Sequence, residues 1–372
     1  MKRPSNLTTP VRSILFAVAL LAAATAHASA SSVPHNLVRE IHALVTDYLN
    51  QDLTPGLVVG VRWGDATWVR GYGVTHAGTD RPMTADTRLY IGSLSKQFTA
   101  AGIMRLVEQR RLGLDWTIPR VFPEAPDHWA EITIHQLLNH TSGISSYGAI
   151  PYNLGQGVLP PRALLGFIAA TDLFFEPGTA YVYSSPDYAV LGYIIEQVSG
   201  MTYGEYLERT FLSPLGLASS GYWIDDRPDG LAGNHMVYVG GEATFQPVVN
   251  VSLGLGSSSI HSTVGDLLAW QEALLTGRAV QPASLERMTE PVDVLGYDGE
   301  PLTEDYGYGL QLELADDGSL FGLGHGGING GHIGWIWAYP TLDVGFVVLQ
   351  NSDGMLLTLL DEIEEALLNA AQ

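Results

Sequence analysis

The sequence predicts an α/β fold: an antiparallel sheet flanked by N- and C-terminal helices, with a mainly helical region inserted into it. Three observations carry that prediction. Both ends of the chain combine strand-like and helix-like patterns, the stretch between them is mainly helical, and no internal repeat or low-complexity linker divides the chain.

In chain order, Leu37, Val38, Ile41, Leu44, Val45, Tyr48 and Leu49 recur at helical spacing and so share one helix face. Leu57–Trp63 and Thr67–Val74 read as strands joined by Gly64-Asp65, a hairpin turn. Phe98–Leu106 and Tyr188–Val198 are the clearest helices of the middle region, which Pro- and Gly-rich loops such as Ala149–Pro161 interrupt. Ile333–Tyr339 and Val344–Gln350 read as strands around the turn Pro340-Thr341-Leu342-Asp343. A last amphipathic helix carries Leu356, Leu359, Leu360, Ile363, Ala366 and Leu367. The expected division is a discontinuous sheet domain at 29–92 and 225–372 and a helical region at 93–224. A cleft between two such halves is a common place for a ligand.

Residues 1–28 stand apart. Lys2, Arg3 and Arg12 precede an apolar run from Ile14 to Ala24, and Ala26-His27-Ala28-Ser29-Ala30 closes the segment. Basic start, apolar centre and Ala-x-Ala close describe a secretory signal peptide, cleaved after Ala28 or Ala30. The alternative is a membrane anchor, but 11 apolar residues are too few for a bilayer core of about 30 Å. The expected location is periplasmic or secreted, with no membrane insertion once the signal is removed.

The formal charge is −21, from 18 basic and 39 acidic residues. Removing Lys2, Arg3 and Arg12 leaves 15 basic residues and a charge of −24. Such a surface repels phosphate backbones, so nucleic acid is not an expected partner. The chain has no cysteine, which removes disulfides, thiol catalysis and thiolate metal sites. No His-Glu-x-x-His or similar spacing occurs, and the glycines of Gly322–Gly334 lead into no Gly-Lys-Ser/Thr; neither a metal nor a cofactor is expected. The expected partner is a small molecule, ester or short peptide, and oligomeric state has no signal in the sequence.

Beyond residue 28 the chain has a single lysine, Lys96. Arg cannot shed its proton in a protein, whereas a buried Lys can. A lone Lys is open to two readings: a site that needs a removable proton, or chance survival. Ser93 lies three residues earlier, in Ile91-Gly92-Ser93-Leu94-Ser95-Lys96. On a helix, positions i and i+3 share a face, so the hydroxyl and the amine can touch. A helix N-terminus would also offer N–H groups to developing negative charge. That combination is what an activated nucleophile requires.

Ser-x-x-Lys is a signature of β-lactamases and penicillin-binding proteins. Further segments follow in the matching order: Leu137-Leu138-Asn139-His140-Thr141-Ser142-Gly143-Ile144, Pro177-Gly178-Thr179 leading to Tyr183-Ser184-Ser185, Leu191-Gly192-Tyr193-Ile194-Ile195-Glu196, Pro214-Leu215-Gly216-Leu217, Ser262-Thr263-Val264-Gly265-Asp266-Leu267 and Gly324-His325-Gly326-Gly327. On these residues the chain resembles the β-lactamase/penicillin-binding-protein superfamily. Its class C-like branch of β-lactamases, D-amino-acid peptidases and esterases is the nearest in pattern. The absence of Gly-x-Ser-x-Gly argues against the α/β-hydrolase alternative.

The resemblance implies an acyl-enzyme on Ser93, with Lys96 as its base and Tyr183 as the proton relay. It implies an oxyanion hole from the backbone N–H groups of Ser93 and Ile328, and substrate contacts from Ser185, His325, Gly326 and Gly327. Two positions depart from the family pattern. Ser185 stands where Asn is usual, and a hydroxyl does less than an amide. His325 stands where Lys is typical, and a histidine near neutral pH is mostly uncharged. Both departures favour esters or less anionic amides over β-lactams or D-Ala-D-Ala peptides, which remain the alternative. A reading from another class is a non-catalytic protein of the same fold that binds cell-wall peptides. His140 is expected to cap or pack its own loop, Asp266 to cap a helix, and Trp335 and Trp337 to form cleft wall or core.

Overall fold

The two ends of the chain meet in one sheet. In the computed structural model, which describes residues 32–144, 158–222, 230–233, 235–237, 243–245, 251–354 and 356–372, helix α1 (His35–Leu49) precedes strands β1 (Gly56–Trp63) and β2 (Ala66–Gly73). The proposed signal segment, residues 149–157 of the long Pro/Gly loop and most of 225–248 lie outside the described residues. The other strands of the large sheet come late: β8 (Asp305–Tyr306), β9 (Gln311–Leu314), β10 (Leu320–Asn329), β11 (His332–Tyr339) and β12 (Val344–Gln350). Its order is β2-β1-β12-β11-β10-β9-β8, and every pairing is antiparallel. Smaller strands are β3 (Leu89–Tyr90), β4 (Gly221–Tyr222) and β7 (Ile260–Ser262), which pair as β3-β7-β4, and β5 (His235–Val237) with β6 (Ala243–Phe245). The fold class read from the sequence is the one observed.

The turns explain why the register holds. Gly64, in the β1–β2 hairpin, has φ +56, a conformation that glycine adopts without steric cost. Asp343 closes the β11–β12 turn with φ +54, and its carboxylate accepts from Arg62 Nη1 of β1 at 2.5 Å. Val59 of β1 pairs with Val348 of β12, so the first and last strands bind edge to edge.

Residues of β1 and β12 alternate between two packing layers, as strand periodicity dictates. Leu57, Val59 and Val61, with Val344, Phe346 and Val348, face α1 and the C-terminal helix α11 (Leu357–Ala371). There they meet Leu37, Ile41, Val45, Ile363 and Leu367. Val58, Val347 and Leu349 face the opposite way, toward α9 (Val264–Leu275) and the helical region. Gly60 of β1 permits that approach: a Cβ there would stand 2.4 Å from a Val264 methyl. Strands covered on both faces read as continuous apolar runs, which is how β1 and β12 appear in the sequence.

The helical region comprises α2 (Ser95–Glu108), α3 (Ile118–Val121), α4 (Ile134–Leu138), α5 (Pro161–Ala169), α6 (Ser185–Ser199), α7 (Tyr203–Leu207) and α8 (Ser213–Leu215). α10 (Pro282–Met288) and α9 follow later in the chain and share the same core, so helices from beyond residue 225 also pack on this side. The cap of α9 differs from the expected one. Thr263 is the N-cap and its hydroxyl accepts from the Asp266 N–H, while the Asp266 carboxylate accepts from Ser219 N and Ser220 Oγ. Trp335 and Trp337 stack at 5.5 Å in the layer under α1 and α11, where Trp337 is core and Trp335 is half-buried against it.

Candidate active site

A single-turn 3₁₀ helix, Gly92–Leu94, leads into α2 and carries Ser93 at the point where β10 passes closest. Two glycines make the approach possible. A Cβ at Gly92, which has φ +55, would stand 2.5 Å from the Ile328 nitrogen. One at Gly327 would stand 2.3 Å from the Ile91 carbonyl oxygen and 2.7 Å from the Ser93 nitrogen. Gly326 N donates to Gln311 Oε1 at 2.8 Å, on the β9 side of the strand. Residues i and i+2 of a strand point their N–H groups the same way, so the Ile328 N–H also points to the β9 side, at the residue closest to Gly92. The Ile328 side chain is 66% exposed and forms a lip beside it.

Lys96, the second residue of α2 and one turn beyond Ser93, is fully buried. Its Nζ lies 3.0 Å from Ser93 Oγ, 3.3 Å from Ser185 Oγ and 3.1 Å from the Ser257 carbonyl oxygen. Burial pushes the amine down to about 7. A neutral amine has two hydrogens and one lone pair. Two acceptors for the hydrogens and one hydroxyl for the lone pair match that inventory.

Tyr183 is 38% exposed, and Lys96 Nζ stands 4.7 Å from its ring centroid. The ring rests on His140, centroid to centroid 4.7 Å, and lies 6.0 Å from His325. Ser185 opens α6 immediately after Ser184, whose hydroxyl caps the helix by accepting from Asp187 N. Ser93, Lys96, Tyr183 and Ser185, quoted from separate parts of the sequence, are therefore brought together with the Gly326–Ile328 edge of β10.

His325 takes a different position from the substrate-facing one expected of it. It is 2% exposed, Nε2 shares a 3.0 Å hydrogen bond with the Tyr306 hydroxyl, and Nδ1 faces the Gly326 carbonyl. Burial and the neighbouring Lys96 push it down to about 3, so it is a neutral imidazole behind Tyr183 rather than a cation in the open cleft. His140 does more than pack its loop. It is completely buried at φ +62, 3.1 Å from Asp187 Oδ2 and 3.2 Å from the Ser184 nitrogen.

Sequence reading passed over Asp187, Ser142, Tyr306 and the Ser257 carbonyl. Asp187 had one available signal: an acidic residue in the first turn of a helix that is apolar on every side, which forces the carboxyl inward. A backbone carbonyl such as that of Ser257 has no signal in residue type. Among the described residues no cluster of His, Cys, Asp and Glu is arranged to hold a metal ion, and no helix is long and apolar enough to cross a membrane.

Residues 41–368 match the protein family described as Beta-lactamase. The chain is 26% identical over 322 residues to D-aminopeptidase from Brucella canis, which covers 84% of this chain and 59% of that protein. It is similar in structure to the octameric penicillin-binding protein homologue from Pyrococcus abyssi, with TM-score 0.77, 27% identity, and 90% and 77% of the two chains covered. D-amino acid amidase from Ochrobactrum anthropi SV3 shares the fold, with TM-score 0.79 at 22% identity, covering 91% of this chain and 100% of that one. The chain spans about three fifths of the length of the curated relatives it matches.

Proposed function

Because the chain belongs to the Beta-lactamase family, we propose that it is an exported serine hydrolase that acylates Ser93 and hydrolyses an ester or amide. The observation that carries this reading is the Lys96 amine, buried, lowered to about 7 and 3.0 Å from Ser93 Oγ. As Oγ attacks the substrate carbonyl, the Lys96 lone pair takes the hydroxyl proton. The carbonyl π electrons move to oxygen, and the Ser93 and Ile328 N–H groups receive the oxyanion. Collapse breaks the bond to the leaving group, which takes a proton through Tyr183 and leaves Ser93 as an ester. Water then attacks that ester, gives its proton back through the same groups and releases the acid.

The substrate favoured is an ester, or a D-amino-acid amide or peptide, over a β-lactam or a D-Ala-D-Ala carboxypeptidase substrate. His325 is neutral and engaged inside the protein, so it offers little to a substrate carboxylate. The likeness to a D-aminopeptidase supports the amide arm. Export rests on the pattern of residues 1–28, and location in the periplasm or outside the cell is part of the same proposal.

A fluorophosphonate probe followed by mass mapping tests the acyl-enzyme: the label is expected on Ser93 and absent in Ser93→Ala. Label elsewhere, or full turnover in Ser93→Ala, overturns the reading. A panel of nitrocefin, aryl esters and D-alanyl amides ranks the substrates. No rate above background on any of them would favour the binding-protein reading.

A further inference from the structure

Lys96 shares its dry surroundings with Asp187 of α6, His140 of the loop after α4 and His325 of β10, all buried. The hydrogen positions in this cluster can be worked out from donors that are not negotiable. A backbone N–H always has its proton, and that of Ser184 points at His140 Nδ1 from 3.2 Å. Nδ1 is therefore the lone-pair nitrogen, and the ring hydrogen sits on Nε2. That hydrogen meets no hydrogen-bond acceptor among the described residues, and the imidazole is instead packed against the rings of Tyr183, Tyr188 and Tyr306.

Asp187 Oδ2 lies 3.1 Å from that same Nδ1. An ionised carboxylate facing a lone pair repels it, whereas a protonated carboxyl donates to it. The other oxygen, Oδ1, takes the Ser142 hydroxyl at 2.5 Å, while Ser142 Oγ accepts from Ile144 N. With the carboxyl hydrogen on Oδ2, that hydrogen and the Ser184 N–H share the single Nδ1 lone pair, and no two lone pairs face each other. We propose that Asp187 is a neutral carboxylic acid in the working protein, a positioning residue that ties His140 and the start of α6 beneath Lys96 without adding negative charge there.

Burial acts in the same direction, raising Asp187 well above the usual carboxylate range and holding His140 well below that of a free imidazole. The other titratable groups that face the pair are Lys96 from α2, Tyr181 and Tyr183 from the segment before α6, Tyr188 from α6, Tyr306 from β8 and His325 from β10. Among them Lys96 is the group whose proton an ionised Asp187 would hold in place. A neutral carboxyl leaves the amine free to give up its proton, so the functional consequence rests on the proposed catalytic role of Lys96.

The decisive measurement is infrared spectroscopy of the full chain grown with carboxyl-¹³C aspartate, which requires no turnover and so stands or falls apart from the catalytic reading. At pH 8 the wild type is expected to show an isotope-shifted acid carbonyl band. The band should be lost in Asp187→Asn and kept in Asp266→Asn, the control for a half-buried aspartate whose carboxyl burial also pushes up. Absence of the band in the wild type overturns the proposal, whether or not Asp187→Asn folds. A second readout is the pH profile of kcat/KM. In Asp187→Asn its inflection should stay where the wild type has it. A fall of about one unit or more, the effect of removing a nearby negative charge, would mean that Asp187 is ionised.

Discussion

The two layers on either side of the sheet are built to opposite rules. Under α1 and α11 the packing is aliphatic and aromatic, with Ile41, Val45, Phe346, Ile363 and Leu367 all at 0% exposure. Between the sheet and the helical region an equally dry interior holds Lys96, His140, Asp187 and His325. The first layer gains stability from every residue it buries. The second gives some back, because desolvation disfavours charge on each titratable group, and what it obtains is an amine that titrates near neutrality. The buried cluster around Lys96 thus lies on one side of the sheet, inside an apolar core of its own, and substitutions in that cluster should fail differently from those under α1 and α11.

The largest expected effect is chemical. Lys96→Arg keeps a positive charge and removes the titratable proton, so turnover should fall by about 10⁴-fold or more. Ester hydrolysis by purified, folded variant measures it, and a wild-type rate would break the assignment. On the proposed mechanism the active form of Lys96 is the free base. The fraction present in that form grows as pH rises through about 7, so kcat/KM should climb about tenfold per unit below that point and level off above it. A profile flat from pH 5 to 9 would contradict a lysine base.

On the other side of the sheet, Ile363→Ala should cost about 2–5 kcal/mol of stability. Denaturant unfolding reads that loss, and kcat/KM of the folded fraction should not change. A fall in kcat/KM without loss of stability would mean the layers are not independent. The smallest effect tests the border between them. Thr263→Ala removes the N-cap of α9 and should lower stability by about 1 kcal/mol, seen as a modest drop in unfolding midpoint with activity retained.

Much of this was legible in the sequence for a physical reason. β1 and β12 are covered on both faces and so read as apolar runs, while α1 and α11 show one apolar stripe each. Ser93 and Lys96 were legible because a helix turns i and i+3 to the same side, which spacing alone reveals. His325 and His140 were less so. Whether a histidine faces solvent or lies behind another ring depends on Tyr306 and Tyr183, which come from other parts of the chain. Asp187 was hidden by its own position: two residues after Ser185 it looks like a favourable charge at a helix start, and only the packing of α6 on every side turns it inward.

The neighbour of β1 across the sheet also sets the order of assembly. A ribosome delivers β1 and β2 almost three hundred residues before β12, to judge from the pairing of Val59 with Val348. Until that last strand emerges, the β1 edge of the nascent hairpin is bare and its apolar side chains lack their partners from β12, both prone to stick to other chains. The sheet can therefore close only after synthesis is nearly complete, and chaperone demand should be greatest just before then. A chain truncated after Tyr339 would stay in that vulnerable state permanently.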